Sequence, residues 1–222
     1  MTGILLIHGF AGPLSDISPL YRALCQAGYK VEMPVLPGHD ALPKSLRTTN
    51  YSDWLCCAKN AANKLLKHCD TVTAIGFSMG GLIAMHIYPE VLFHSLVTIN
   101  TPYYFWNGKM ILKNLFTNFG PSVSKYFGSH IPVHALLQFC TLLSRTRPLL
   151  PKVACPTLLV QTQDDDTAWP SSAVRFAKRL SGPCKIVTPK AGGHMVLTGP
   201  SQGEVLSCVL EFLNPSSNKR IC

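Results

Sequence analysis

A chain of 222 residues has room for one domain with a large core. Its 47% hydrophobic content is spread in short runs, none near the ~20 residues of a membrane span. The formal charge of +9 reflects scarce acids more than abundant bases, 11 against 20, and no basic run or nucleic-acid motif accompanies it, which argues against a nucleic-acid partner.

Nine cysteines, an odd number without a C-x-x-C pair, point to free thiols in a reducing compartment. The N-terminus lacks the basic start and long apolar core of a signal peptide, so a cytoplasmic location is expected. Between Glu90 and Asp164 there is no carboxylate, while Lys109, Lys113, Lys125, Arg145, Arg147 and Lys152 all fall there. Such an excess suits a solvated basic face, or a weak peripheral contact with an anionic membrane.

In chain order, residues 3–7 form a continuous apolar run, as in a strand buried on both faces of a parallel sheet. A loop, His8-Gly9-Phe10-Ala11-Gly12, follows. Ser18 as cap and Pro19 in the first turn predict a helix that stops at Gly28. Residues 29–35 read as a second strand, with Lys30, Glu32 and Pro34 suited to a sheet edge. After a turn at 36–40, a helix starting at Ser52 or Asp53 carries Leu55, Ala58, Ala62, Leu65 and Leu66 at helical spacing.

Residues 71–76 predict the central strand, followed by Gly76-Phe77-Ser78-Met79-Gly80 and a helical run over 82–88. This is strand, sharp turn, helix, with serine at the apex of G-x-S-x-G. A nucleophile elbow strains the serine backbone and brings strand and helix very close, so glycines at 76 and 80 remove Cβ atoms that would clash. The bare pattern arises by chance in roughly one chain in ten to fifteen, so its strand-to-helix setting carries the weight.

Residues 95–100, 157–161 and 184–187 are further strands, with a helix over 171–180 between the last two. Ser201 and Glu204 read as the capping box of a final helix that turns Val205, Leu206, Val209, Leu210 and Leu213 inward. Alternation of this kind predicts an α/β fold with a mainly parallel sheet of about six strands. Residues 101–155 break it: they lack a convincing strand and are dense in aromatics. The expectation is a core of 1–100 and 156–222, with 101–155 a helical cap over the strands' carboxyl ends.

These motifs resemble the α/β-hydrolase superfamily, and within it the compact bacterial carboxylesterases and monoacylglycerol lipases with a small helical cap. The resemblance spans nearly the whole chain. It implies Ser78 as nucleophile, Asp165 as acid, through the pattern Gln161, Asp165, Pro170, and His194, after Gly193, as base. It further implies Phe10 and Met79 as the oxyanion-hole residues, acting through their N–H groups. The antiparallel pair that commonly opens the family's sheet is not expected here, and the strand near 30–35 would then be an unprotected edge. The turn Gly38-His39-Asp40 stands where the family often has Gly-His-Gly.

The residues support the same roles on chemical grounds. A serine hydroxyl at neutral pH needs a neutral imidazole to take its proton, and His194 follows a flexible glycine loop from which it can reach the elbow. Of the consecutive Asp164, Asp165 and Asp166, one orients that imidazole; the step to Pro170 favours Asp165, with Asp166 next, and the others would be solvated. His8, His39 and His86 read as structural. His130 and His134 lie one helical turn apart, but no third ligand has useful spacing and Pro132 breaks the helix, so no metal is expected. Phe10, Met79, Trp169, Met195 and the cap aromatics would line an apolar cleft for a small-molecule ester. No cofactor is implied. The expected function is a serine carboxylesterase for short- to medium-chain esters, with a monoacylglycerol lipase or lysophospholipase at a membrane surface as alternative, and a ligand-trapping protein of the same fold as a rival from another class.

Overall fold

A computed structural model describes residues 1–39, 45–104 and 131–214. Six parallel strands, β1 (Thr2–Ile7), β2 (Lys30–Glu32), β3 (Thr71–Phe77), β4 (Ser95–Ile99), β5 (Thr157–Val160) and β6 (Cys184–Val187), form one sheet in the order β2-β1-β3-β4-β5-β6. Among the described residues, six α-helices flank it: α1 (Ser18–Gln26), α2 (Tyr51–Leu66), α3 (Met79–Val91), α4 (Val133–Thr146), α5 (Ser171–Ala177) and α6 (Gln202–Leu213). The parallel α/β sheet expected of the sequence is the observed architecture.

Side-chain alternation along each strand fills two cores, one per face. In β1, Leu5 and Ile7 join the cluster under α2, α3, α4 and α5, while Ile4 and Leu6 join the cluster under α1 and α6. The same split runs through β3, with Val72 and Ala74 on the first side and Ile75 and Phe77 on the second. The edge strand β2 is only three residues long and half-exposed, shorter than the 29–35 expected. Pro34 cannot donate to a ladder, and a short edge limits pairing with other chains.

Helix starts depart from expectation in three places. Ile17, not Ser18, caps α1, and the Ser18 hydroxyl instead donates to the Ser15 carbonyl. α2 is capped by Asn50, whose side chain takes the Asp53 N–H while Asp53 takes the Asn50 N–H, a capping box that starts the helix at Tyr51, ahead of the expected Ser52 or Asp53. Ser201 does precede α6, yet its side chain makes no capping bond. On α6, Val205 and Val209 are fully buried, and Leu206, Leu210 and Leu213 pack half-buried against the same cluster. Leu66, expected inward on α2, is exposed.

Of the expected cap, residues 101–104 and 131–155 are described, and no strand occurs among them. α4 packs on α3 through Ala135, Phe139, Leu142 and Leu143. Gln138 accepts the Tyr51 N–H at 3.1 Å, and His86 bonds Thr146 at 3.0 Å. Arg147 Nε and Nη2 both donate to the Tyr103 carbonyl, tying the two described ends of this segment together. The cap aromatics Phe105, Trp106, Phe116, Phe119, Tyr126 and Phe127 lie outside the described residues, as do Asp40 and His130. All eight cysteines among the described residues are free, and no helix among them is long and apolar enough to cross a membrane.

The tightest packing lies at the elbow. A Cβ on Gly76 would land on the backbone of Gly80 and Gly81, and one on Gly80 would land on the Ile7 carbonyl. Gly203, by contrast, sits in the first turn of α6 with nothing near a built Cβ. Gly80→Ala should therefore cost about 3 kcal/mol or more, because backbone must move. Gly203→Ala should stabilise by about 0.5–1 kcal/mol through helix propensity. Denaturant unfolding of the two variants beside the wild type checks both signs.

Candidate active site

The site is built at the carboxyl ends of β1, β3, β4 and β5. Ser78 follows β3 with φ 51° and ψ −117°, a conformation L-residues rarely adopt. Its N–H donates to the Ile99 carbonyl at 2.8 Å, which anchors the strained residue to the end of β4. Because β3 stops and α3 starts within one residue, the Ser78 side chain stands at the apex of the turn, 7% exposed.

His194 and Asp165 reach Ser78 from two other loops. His194 Nε2 lies 2.9 Å from Ser78 Oγ, and Nδ1 lies 3.1 Å from both carboxylate oxygens of Asp165. Asp165 has a wholly buried side chain that accepts the N–H groups of Thr167 and Ala168, both at 2.8 Å, and Gln161 Nε2 at 3.0 Å. Gln161, singled out by its position in the sequence, thus bonds the acid directly. A carboxylate so surrounded by donors accepts from the ring as well, so Nδ1 carries the proton and Nε2 is left to accept from the serine hydroxyl. Phe77 packs beneath the imidazole with ring centres 5.3 Å apart.

The loop after β1 is fixed by His8. Its Nδ1 donates to the Gly9 carbonyl at 2.8 Å and its Nε2 accepts the Leu36 N–H at 3.0 Å, so the ring must be neutral to make both bonds. His8 is structural, as expected. Phe10 is 9% exposed, and its ring packs against those of Phe139, Trp54 and His39, holding its own backbone in place. Met79 opens α3, where a helix leaves its first N–H groups without an intrahelical acceptor and presents a positive dipole end. The Met79 side chain is fully buried in the core, so packing is its role, not lining an open cleft. Trp169 is half-buried in the acid loop. Met195 is half-buried against the cluster beneath α1 and α6.

Several residues with a part in this geometry escaped the sequence reading. Asn100, fully buried at the end of β4 with φ 48°, donates through Nδ2 to the carbonyls of Gly193 and His194, both at 2.9 Å. Its Oδ1 accepts the Thr162 N–H at 2.9 Å. Thr162 Oγ1 donates to the Gly193 carbonyl at 2.7 Å. Asp164, expected to be solvated, is exposed but accepts the N–H groups of Gly192 at 3.1 Å and Gly193 at 2.9 Å. Asp166 is exposed and accepts a bond from its neighbour Thr167. Partial burial raises the carboxyl pKa of Asp16. The one sequence signal for Asn100 was its type, since asparagine tolerates a positive φ better than most residues.

His134 bonds the Thr49 carbonyl at 3.2 Å, and no group of three or more potential metal ligands occurs among the described residues.

An elbow serine hydrogen-bonded to a histidine, itself held by a buried carboxylate on a parallel α/β sheet, defines the α/β class of hydrolases. The chain belongs to the alpha/beta hydrolase family, whose model matches residues 4–205. It is similar to a thermostable monoacylglycerol lipase of Bacillus sp. (strain H-257), 27% identical over 95% of this chain and 89% of the relative. A carboxylesterase of Bacillus subtilis (strain 168) is 22% identical over 95% and 91% of the two chains. Among solved structures, one from work on LipS and LipT, two metagenome-derived lipolytic enzymes, superposes with a TM-score of 0.83 at 24% identity, covering 96% of this chain and 94% of the other.

The buried His8 gives the site loop a pH limit. Burial, and next the neighbouring His39, lower its pKa from 6.5 to about 4 against the bond to Gly9. Between those values the unfolded chain binds the proton more readily, so stability falls as pH drops from 6.5 and the loss is complete below about 4. The gap corresponds to about 3 kcal/mol. A His8→Asn variant should lose stability less steeply than wild type across that window in urea unfolding at stepped pH.

Proposed function

We propose that this protein is a serine carboxylesterase acting on short- to medium-chain carboxylic esters. The observation that carries the reading is the unbroken chain of hydrogen bonds from Ser78 through His194 to Asp165. Ser78 Oγ attacks the ester carbonyl while His194 Nε2 takes its proton, and Asp165 stabilises the imidazolium that forms. The N–H groups of Phe10 and Met79 hold the oxyanion, helped by the positive end of α3. His194 then protonates the departing alcohol. Water, deprotonated by the same ring, attacks the acyl-enzyme, releases the acid and restores the serine. Trp169, Met195 and the insertion at 101–155 would bound the substrate cleft, with the insertion as its cap. No step needs a metal or organic cofactor.

A second reading has its own support: the Bacillus sp. relative is a monoacylglycerol lipase matched over most of both chains. Monoglycerides are medium-chain esters in part, so they belong in the substrate panel, and the basic excess between Glu90 and Asp164 would favour an anionic surface.

Hydrolysis of p-nitrophenyl esters of graded acyl length, and of a monoglyceride in neutral and anionic vesicles, tests both readings. Wild type should be active, and Ser78→Ala should lose about 10⁴-fold or more in kcat. Equal activity of the two removes the assignment. A preference for the monoglyceride in anionic vesicles, weakened by salt, selects the lipase reading.

A further inference from the structure

We propose that Asp164 is a positioning residue that holds the His194 loop in register with Ser78, an inference that rests on the catalytic reading given above. Gly192 has φ 132° and Gly193 φ 55°, both in the region that favours glycine. This bend turns two successive backbone N–H groups toward one carboxylate, an anion-binding nest, and Asp164 fills it. On the far side of the same dipeptide, Asn100 and Thr162 take the carbonyls of Gly193 and His194. The peptide groups leading into His194 are thus held from two directions.

Asp164 and Asp165 are adjacent, so the acid loop grips the base loop twice. Asp165 binds the imidazole, and Asp164 binds the backbone from which it projects. Without the second grip, the two-glycine loop is held by Asn100 and Thr162 from one side only, and the distance between Nε2 and Ser78 Oγ is less tightly set. A displacement near 1 Å costs on the order of 10²-fold in rate. Asp164 is exposed and touches no apolar core, so its removal should spare overall stability.

The test compares wild type, Ser78→Ala, Asp164→Ala, Asp164→Asn and Asp166→Ala on a p-nitrophenyl ester, with unfolding midpoints and amide hydrogen exchange at Gly192 and Gly193. Asp164→Ala should lower kcat about 10- to 100-fold, leave KM within about twofold, and speed exchange at both glycines. Asp164→Asn keeps one acceptor oxygen and should recover part of the rate; if the alanine variant does not fold, the asparagine variant is judged by the same kcat, KM and exchange criteria. Asp166→Ala should behave as wild type. The proposal is overturned by a kcat within twofold of wild type in Asp164→Ala, by unchanged glycine exchange, or by an equal loss in Asp166→Ala. Loss of Ser78 dependence in the wild-type activity would instead bring down the catalytic reading, while the exchange data would still report on the clamp.

Discussion

Everything at the site depends on how closely α3 approaches β1. Gly80 meets the Ile7 carbonyl with no room for a Cβ, and Gly76 meets the first turn of the helix that follows it. That approach fixes the elbow. A serine held at φ 51° stores strain on the order of 1–3 kcal/mol and would relax if its surroundings allowed. They do not: β3 is the central strand, β1 and β4 pair on either side, and the Ser78 N–H is bonded to Ile99. The large cores on both faces keep the strained residue in place, so a reactive hydroxyl at this apex is a property of the whole sheet.

The other two side chains arrive on loops, which are ordinarily the less ordered parts of a fold. Here a buried polar network replaces packing. Asn100 uses both ends of its amide, with donors to the His194 loop and an acceptor to the strand end at Thr162. Gln161 joins the acid to the Ala168 carbonyl at 2.9 Å. Each member is satisfied by another, which is the condition under which a buried network rigidifies a site and does not weaken it. The result is preorganisation: the imidazole faces the hydroxyl before any substrate is bound, so its orientation costs nothing at the moment of reaction.

The sheet and the elbow were legible because both write themselves in local pattern. Apolar runs bounded by turns mark strands buried on two faces, and two glycines flanking a serine mark a close strand-to-helix approach. Helix starts were less legible. Asn50 caps α2 and Ile17 caps α1 because of backbone angles set by the preceding loops, which residue type alone does not report. Least legible were Asn100 and Thr162, whose partners lie 31 to 94 positions away in the chain. Nothing near them in sequence foretells a hydrogen bond of that span. Met79 shows the converse error, an apolar side chain beside the nucleophile that belongs to the core and not to a cleft.

Three successive aspartates after β5 illustrate how the fold assigns roles that composition leaves open. Charges this close repel, and the loop disperses them by giving each carboxylate a different set of donors. Asp165 turns under the loop, where Gln161, Thr167 and Ala168 supply donors and leave it one further direction, toward His194. Asp164 turns toward the glycines, and Asp166 outward to Thr167 and water. The choice of acid is therefore made by the donors and not by the carboxylates: only the position whose other bonds are satisfied inside the protein can offer a desolvated charge to the imidazole. A desolvated carboxylate interacts with an imidazolium far more strongly than a hydrated one, because less water screens the pair. The same burial that makes Asp165 costly to fold makes it effective as the partner of His194.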